Sequence, residues 1–176
     1  MELFITSDTH FSHGNICKFL TESGEKQRPW NDYLEMDEVL VDNWNRVVGR
    51  GDKVIHLGDV TMKRKYLPIL SRLNGRKTLI MGNHDIFPAQ DYLKYFEDIK
   101  SYMVIDMHIL SHIPVHPDSK GRFLGNIHGH THTNRILTDG KIDWYYQNIC
   151  VEVNDYTPVS YDEIPKRINF EYALYK

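Results

Sequence analysis

The sequence predicts an α/β domain, and three observations support this class. Its first half alternates apolar stretches of strand length with amphipathic stretches of helical spacing, in the order βαβαβ. Its second half, after residue 98, is rich in short strand-like stretches that are separated by turn residues. No internal repeat, low-complexity tract or linker divides the chain, so its 176 residues are expected to form one domain, 1–176.

In the first half, apolar spacing and stop signals set the bounds of each element. From 34 to 48, apolar residues recur at helical spacing, and Gly49 follows as a stop. A polar loop over 21–31 precedes this helix. The predicted strands are 2–7, 53–57 and 76–81, and the predicted helices are 11–20, 34–48, 66–73 and 89–96.

In the second half, apolar stretches bounded by turn residues predict four strands. These strands are 99–106, 107–111, 122–128 and 147–153. Asp139-Gly140 is the expected tip of a hairpin, because this pair favours tight turns. A last short helix is expected over 160–167, where Pro165 limits its length.

Composition argues against several classes of protein and favours a metal site. The formal net charge of −3 gives no general electrostatic case for binding nucleic acid or an anionic membrane. No apolar run approaches the length of a membrane span. Because the two cysteines lack C-x-x-C spacing and residues 1–8 lack the order of a signal peptide, a cytoplasmic protein is expected. The ten histidines direct attention to metal binding, since histidine is the commonest metal ligand.

Five polar sites lie where predicted strands end, which is where ligands bind in α/β sheets. Each also has a simpler interpretation, since a carboxylate there can cap a helix and a lone histidine is often structural. In the last site, three histidines alternate around Gly129, and alternate spacing on a strand would place them on one face. The five sites are Asp8-Thr9-His10, Gly58-Asp59, Gly82-Asn83-His84-Asp85, Ser111-His112 and Asn126-Ile127-His128-Gly129-His130-Thr131-His132.

Together, the five sites resemble the signature of the calcineurin-like metallophosphoesterase superfamily in order and in residue type. The match runs from Asp8 to His132, and the segment 151–160 is similar to the closing segment of small single-domain bacterial and phage members. The resemblance implies an α/β fold that is a four-layer αββα sandwich of two mixed β-sheets flanked by helices. This fold agrees with the βαβαβ first half and the strand-rich second half.

The resemblance also implies two divalent transition-metal ions. Manganese is the first choice and iron, zinc, cobalt or nickel stay open, because mixed nitrogen and oxygen ligands suit them all. A water bridging the ions would attack phosphorus in line, and His84, held by Asp85, would stabilise charge or protonate the leaving oxygen. The implied ligands are Asp8, His10 and His132 for the first ion, Asn83, His112 and His130 for the second, and Asp59 as the bridge.

The expected substrate is a small phosphodiester of the nucleotide type, because so short a chain leaves little room for a cap domain over the site. His13, Arg28 and His128 are expected to contact it, and aromatic and basic residues of two loops, 25–33 and 114–123, would line it. Three alternatives stay open: a phosphomonoesterase of broad specificity, a non-catalytic metal-stabilised scaffold, and a nuclease subunit that acts with a partner. The charge gives no support to nucleic acid as a partner, and the sequence does not indicate an oligomeric state.

Overall fold

The structure, a computed structural model, describes residues 1–21 and 23–164. Eleven strands are present in this part of the chain. They are β1 (Leu3–Thr6), β2 (Lys53–His56), β3 (Arg76–Ile80), β4 (Asp98–Lys100), β5 (Tyr102–Ile105), β6 (His108–Ser111), β7 (Gly125–His128), β8 (Leu137–Thr138), β9 (Lys141–Ile142), β10 (Tyr146–Asn148) and β11 (Val159–Ser160). The α-helices are α1 (Tyr33–Val47) and α2 (Ala89–Tyr92), and the 3-10 helices are Ile16–Lys18, Arg64–Arg72, Pro117–Ser119, Val151–Val153 and Tyr161–Glu163.

The strands form two mixed sheets and one hairpin. The first sheet has the order β11-β1-β2-β3-β4, in which β1 to β4 run parallel and β11 runs antiparallel to β1. The second sheet has the order β10-β7-β6-β5, with β5 antiparallel to β6 and the other pairs parallel. β8 and β9 pair at the predicted hairpin tip. The predicted α/β class with two mixed sheets in one domain is confirmed.

Alternation along the first sheet separates two apolar cores. Ile5, Ile55 and Ile80 join Leu110 and Ile127 of the second sheet in a cluster between the sheets. The neighbouring residues Phe4, Val54 and Leu79 point to the opposite face and pack with Met36, Leu40 and Trp44 of α1. Successive strand residues face opposite sides, so one apolar run supplies both cores.

The regular helices of the described chain cover the outer face of the first sheet. α1 begins at the cap Asp32, whose carboxylate accepts hydrogen bonds from the N–H groups of Leu34 and Glu35. The apolar side chains of Arg64–Arg72 and α2 join the same cluster as those of α1. From 98 to 164 the helical elements are short 3-10 turns. No helix among the described residues has the length and apolar character that a membrane crossing requires.

Several predicted elements differ from the observed ones for local reasons. The predicted strand 99–106 is two strands, because the chain leaves the first sheet after Lys100 and enters the second at Tyr102. The predicted helix 11–20 is reduced to Ile16–Lys18, since Ser12 has a left-handed φ of 61° and bonds to Asp37 through its N–H and its hydroxyl.

Three further elements are shorter or tighter than predicted. The predicted helix 66–73 is a 3-10 helix that contains Pro68, which lacks an N–H for the α-helical pattern. The predicted strand 147–153 ends at Asn148 and continues as the turn Val151–Val153. The described part of the predicted helix 160–167 is the turn Tyr161–Glu163, and the rest lies outside the described residues.

Candidate metal centre

The candidate site lies at the edge where parallel strands of both sheets end. The segments after β1, β2, β3, β6 and β7 carry the predicted metal ligands to this edge. Backbone hydrogen bonds join the segments to one another. The N–H of Asp8 donates to the carbonyl of Gly58 at 2.9 Å, and the N–H of Gly129 donates to the carbonyl of His112 at 2.9 Å.

Asp8, His10 and His132 form the first group that could hold a metal ion. Each offers one ligand atom, and these atoms lie within 4.8 Å of one another. Oδ1 of Asp8 and Nε2 of His10 lie 3.7 Å apart, and both are buried without a hydrogen-bond partner. Buried polar atoms are normally satisfied, so an orphaned carboxylate oxygen facing an orphaned imidazole nitrogen fits a cation between them.

The second oxygen of Asp8 is held by three donors. Oδ2 accepts from the hydroxyl of Ser7 at 2.5 Å, the N–H of His130 at 2.9 Å and the thiol of Cys150 at 3.2 Å. Burial opposes ionisation, but the neighbouring imidazoles of His10 and His112 and the hydroxyl of Ser7 hold the pKa of Asp8 well below its usual range. The carboxylate is therefore fixed with Oδ1 aimed at the other ligand atoms.

Asp59, His112 and His130 form the second group, and their ligand atoms also lie within 4.8 Å of one another. Nδ1 of His112 lies 2.7 Å from the carbonyl of Leu57, which can only accept, so neutral His112 has its lone pair on Nε2. That Nε2 is 2.9 Å from Oδ1 of Asn83 and 3.5 Å from Oδ2 of Asp59. Three lone-pair atoms therefore converge, which is an arrangement that a cation satisfies.

Asp59 lies between the two groups. Its Oδ2 is 3.6 Å from Nε2 of His10 and 3.5 Å from Nε2 of His112, while its Oδ1 accepts from the N–H of His84 at 2.9 Å. One oxygen of one carboxylate thus faces both groups. This is the position that a ligand shared between two ions requires.

Strained backbone supports the arrangement. Five of the residues that carry candidate ligand atoms have left-handed φ angles, which are costly for residues other than glycine: Asp8 (58°), His10 (45°), Asp59 (58°), His130 (70°) and His132 (49°). Gly129 is also required here, because a Cβ at that position would overlap the side chains of Ser7 and Asp8. Such strain clusters at functional sites.

Burial favours the neutral, metal-binding form of two of the histidine ligands. Burial lowers the pKa of His10 and also that of His130. Burial acts in the same direction on His132, but a hydrogen bond with Glu152 and its negative charge raise the pKa of His132 overall. Nδ1 of His132 lies 2.9 Å from Oε1 of Glu152, so its proton is held there and Nε2 is left for a metal.

His84 lies beside both groups and belongs to neither. Its side chain is 44% exposed, and its Nε2 is 4.0 Å from Oδ2 of Asp59. Its ring centroid is 5.6 Å from that of His10. An exposed imidazole next to buried ligands can reach a phosphoryl group that approaches from solvent.

The structure corrects the predicted role of Asp85. Both of its carboxylate oxygens are occupied by main-chain donors: Oδ2 accepts from Asp59 at 2.7 Å and Gly82 at 2.8 Å, and Oδ1 accepts from Val60 at 3.0 Å. The prediction that Asp85 orients His84 is therefore wrong, because the carboxylate holds the two loops together instead. Burial raises the pKa of Asp85 to about 6 despite these donors.

Two of the three predicted substrate contacts are also corrected. Arg28 is fully buried, with its guanidinium bonded to Glu152 and to main-chain carbonyls, so it is an internal cation and not a substrate contact. His128 is 1% exposed, with Nδ1 2.8 Å from the carbonyl of Gly129, because β7 ends at this residue inside the sheet. It therefore does not share a face with His130 and His132.

His13 stays a candidate for substrate contact. It is partly exposed, and its ring centroid lies 5.7 Å from that of His10. Burial and nearby positive charge lower the pKa of His13 to about 4, so it is a neutral hydrogen-bonding group at physiological pH.

The two loops expected to line the site contribute less than predicted. In the first, Trp30 is buried against Tyr156, with ring centroids 4.5 Å apart. In the second, Lys120 forms a 2.7 Å ion pair with Asp143 and lies over the ring of Tyr145. An open cleft of about 430 Å³ instead borders the metal centre, with Leu20, Thr21 and Gln27 on one side and residues 130–134 on the other.

The comparisons with known proteins agree with this geometry. A sequence model of the family described as calcineurin-like phosphoesterase matches residues 1–160. An uncharacterized protein of Methanocaldococcus jannaschii is 34% identical over 177 residues, covering 95% of this chain and 91% of that protein. The gene 66 protein of Mycobacterium phage L5 is 26% identical over 172 residues, covering 77% of this chain and 79% of that protein.

A solved structure is also similar. The crystal structure of a protein of unknown function from Aquifex aeolicus matches with a TM-score of 0.71 and 33% sequence identity. The match covers 94% of this chain and 98% of that one. The likeness therefore extends over nearly the full length of both chains.

Proposed function

The chain belongs to the calcineurin-like phosphoesterase family, and from this premise we propose that it is a phosphodiesterase that hydrolyses small phosphodiesters of the nucleotide type. The family and the two groups of candidate ligands support the coarser description, a dinuclear metal-dependent phosphoesterase. The choice of a diester depends mainly on one observation, the polar cleft beside the metal centre, whose described lining includes no lysine, arginine, aspartate or glutamate. We also propose that the protein is cytoplasmic. The two cysteines of the chain, Cys17 and Cys150, are free, and a reducing compartment keeps thiols in that state.

The proposed ligand sets follow the geometry of the centre. Two divalent ions bound there would supply an ionised water near neutral pH and neutralise charge on the phosphoryl oxygens. The mixed nitrogen and oxygen donors suit manganese, our first choice, and equally iron, zinc, cobalt or nickel. The proposed ligands are Asp8, His10 and His132 for the first ion, Asn83, His112 and His130 for the second, and Asp59 for both.

We assign the proton transfer to His84. Its main-chain N–H is anchored on Oδ1 of Asp59, so the residue is fixed relative to the proposed bridging ligand while its ring stays exposed. A protonated imidazole there can stabilise negative charge on a phosphoryl oxygen or donate a proton to the leaving oxygen. His13 is proposed as a second, neutral contact to the substrate, since it lies beside His10 at the same edge.

The cleft favours a diester for two reasons. Its described lining between 130 and 134 consists of threonine, asparagine and the two ligand histidines, and the opposite side adds Thr21 and Gln27. None of the described lining residues is lysine, arginine, aspartate or glutamate, so no fixed charge favours a second phosphate there. Hydroxyl and amide groups can instead bind an uncharged polar ester group such as a ribose. A phosphomonoester carries a single ester group, which is its leaving group, whereas a diester carries a second one that the cleft can bind.

The experiment compares two substrates that differ in esterification. With manganese, we expect kcat/KM for bis-p-nitrophenyl phosphate to exceed that for p-nitrophenyl phosphate by roughly tenfold, the effect of one well-placed interaction. Thr133→Val, which removes one hydroxyl of the cleft, should raise KM for a dinucleotide and leave bis-p-nitrophenyl phosphate turnover unchanged. Equal or faster monoester hydrolysis would favour the broad-specificity monoesterase. No turnover with any of the five metals would favour the scaffold.

A further inference from the structure

Arg28 and Glu152 form a buried ion pair next to the metal centre. Nε and Nη2 of Arg28 donate to Oε1 of Glu152 at 2.9 and 2.7 Å. The side chains are 0% and 1% exposed, respectively. Burying two charges costs several kcal/mol in desolvation, so such a pair is a weak device for stability alone and calls for another explanation.

The pair contacts the candidate ligand His132. Oε1 of Glu152 accepts both bonds from Arg28 and also lies 2.9 Å from Nδ1 of His132. All three contacts converge on one oxygen, and Oε2 is buried without a partner. The position of that single oxygen therefore fixes the ring of His132, which offers one ligand atom beside those of Asp8 and His10.

The pair also contacts the backbone at Asp8. The two terminal nitrogens of Arg28 donate to the carbonyl of Thr9 at 2.7 Å and to that of Asp8 at 2.5 Å. Asp8 has a left-handed φ of 58°, a conformation that persists only where the surroundings hold it. A guanidinium has a rigid fork of donors, so it can bind the two carbonyls and Glu152 at the same time.

We propose that Arg28 and Glu152 are a positioning pair for the first ion, holding His132 through its Nδ1 and Asp8 through its carbonyl. The pair contacts two ligands of the first group, Asp8 and His132, and none of its hydrogen bonds within the described residues reaches Asn83, His112 or His130. It therefore acts on one of the two sites selectively. This proposal rests on metal binding and is independent of the phosphodiester preference.

The experiment shortens the acid without removing its charge. Glu152→Asp keeps a carboxylate opposite Arg28 but withdraws it by one methylene group from His132. Metal-free protein is titrated with Mn²⁺ by calorimetry, and Co²⁺ absorption reports the geometry of each site. We expect affinity for one of the two ions to fall by about 10–100-fold, the usual cost of losing a residue that orients a ligand. His132→Ala identifies the first site, and His130→Ala identifies the second.

The matched control is Glu97→Asp, which shortens the exposed pair of Arg76 and Glu97 and should leave both affinities unchanged. Melting in the presence of a chelator separates positioning from folding. If Glu152→Asp is unfolded without metal, Arg28→Lys tests the same contacts, since it keeps the charge and loses the fork. The proposal would be overturned if Glu152→Asp bound Mn²⁺ at both sites with the affinities of the parent protein. Equal weakening of both sites in step with a lower melting temperature would also overturn it.

Discussion

Asp85→Asn separates the role that the sequence predicts for Asp85 from the role that the structure gives it. The carboxylate accepts three main-chain hydrogen bonds, two on Oδ2 and one on Oδ1. An asparagine that keeps its oxygen in the place of Oδ2 presents an NH₂ group to the N–H of Val60, which lies 3.0 Å from Oδ1 in the parent. That N–H then faces a donor and loses its partner in a buried place.

The expected loss of stability follows from these bonds. A buried unsatisfied donor costs about 1–3 kcal/mol, and hydrogen bonds to a charged acceptor are worth about 1.5–3 kcal/mol each. Two of the three bonds survive in neutral form, and removing a buried charge whose pKa is raised offsets part of the loss, so we expect the free energy of unfolding to fall by about 1–2 kcal/mol. For a domain of this size that corresponds to roughly 2–8 °C in melting temperature. Metal affinity should fall as well, since the N–H groups of Asp59 and Gly82 then bond to a neutral amide oxygen in place of the carboxylate that anchors them.

The assay measures urea unfolding of metal-free protein at pH 8, where Asp85 is ionised because its raised pKa is about 6. A double-mutant cycle with His84→Ala then tests for coupling in kcat. If Asp85 holds the loops, the losses of kcat caused by Asp85→Asn and by His84→Ala should be additive. Stability should fall with Asp85→Asn and not with His84→Ala. The reasoning would be refuted if Asp85→Asn were as stable as the parent protein and the losses of kcat in the two variants were strongly non-additive. That result would favour the pairing of Asp85 with His84.

Two further predictions concern histidines. His84→Ala should lower kcat by about 10²–10⁴-fold, the usual contribution of a residue that transfers a proton. Calorimetry should show both metal affinities unchanged from the parent protein, because His84 lies outside both ligand groups, and loss of one ion would show that His84 is a ligand. Burial lowers the pKa of His56 to about 3, so the folded protein binds fewer protons than the unfolded chain between about pH 3 and 6.5, and stability falls as the pH falls through this window. The free energy of unfolding should drop by about 2 kcal/mol from this group between pH 7 and 5, and an equal drop in His56→Gln would contradict the assignment.

The parts of the fold that depend on periodicity could be predicted from the sequence. Strands β1, β2 and β3 and helix α1 lie within a residue or two of their expected bounds, because each buries a continuous apolar face. The predicted strand 99–106 failed for a reason outside local pattern. Its two halves pair with different sheets, and a strand's partners are set by tertiary structure rather than by its own sequence.

The site could be predicted where its chemistry is carried by unusual residue combinations at strand ends. Arg28, Glu152 and Asp85 could not be assigned in this way, because their roles depend on contacts with distant backbone. Glu152 offers one faint signal, since it is a lone acid between Val151 and Val153 in a segment that is otherwise apolar. An acid in such a segment is expected to have a buried partner, but Arg28, which is 124 residues away, cannot be identified from sequence alone.

The two histidines of Gly129-His130-Thr131-His132 show how local backbone divides one motif between two groups. On a strand, alternate residues share a face, and both rings would then point to one place. β7 ends at His128, however, and both His130 and His132 have left-handed φ angles, so the segment is a turn. His130 joins Asp59 and His112, whereas His132 joins Asp8 and His10. The N–H of His130 donates to Oδ2 of Asp8, which ties the second group to a ligand of the first. The spacing of the two groups is therefore fixed by main-chain conformation, and Gly129 is the residue whose missing Cβ allows the turn to approach Asp8.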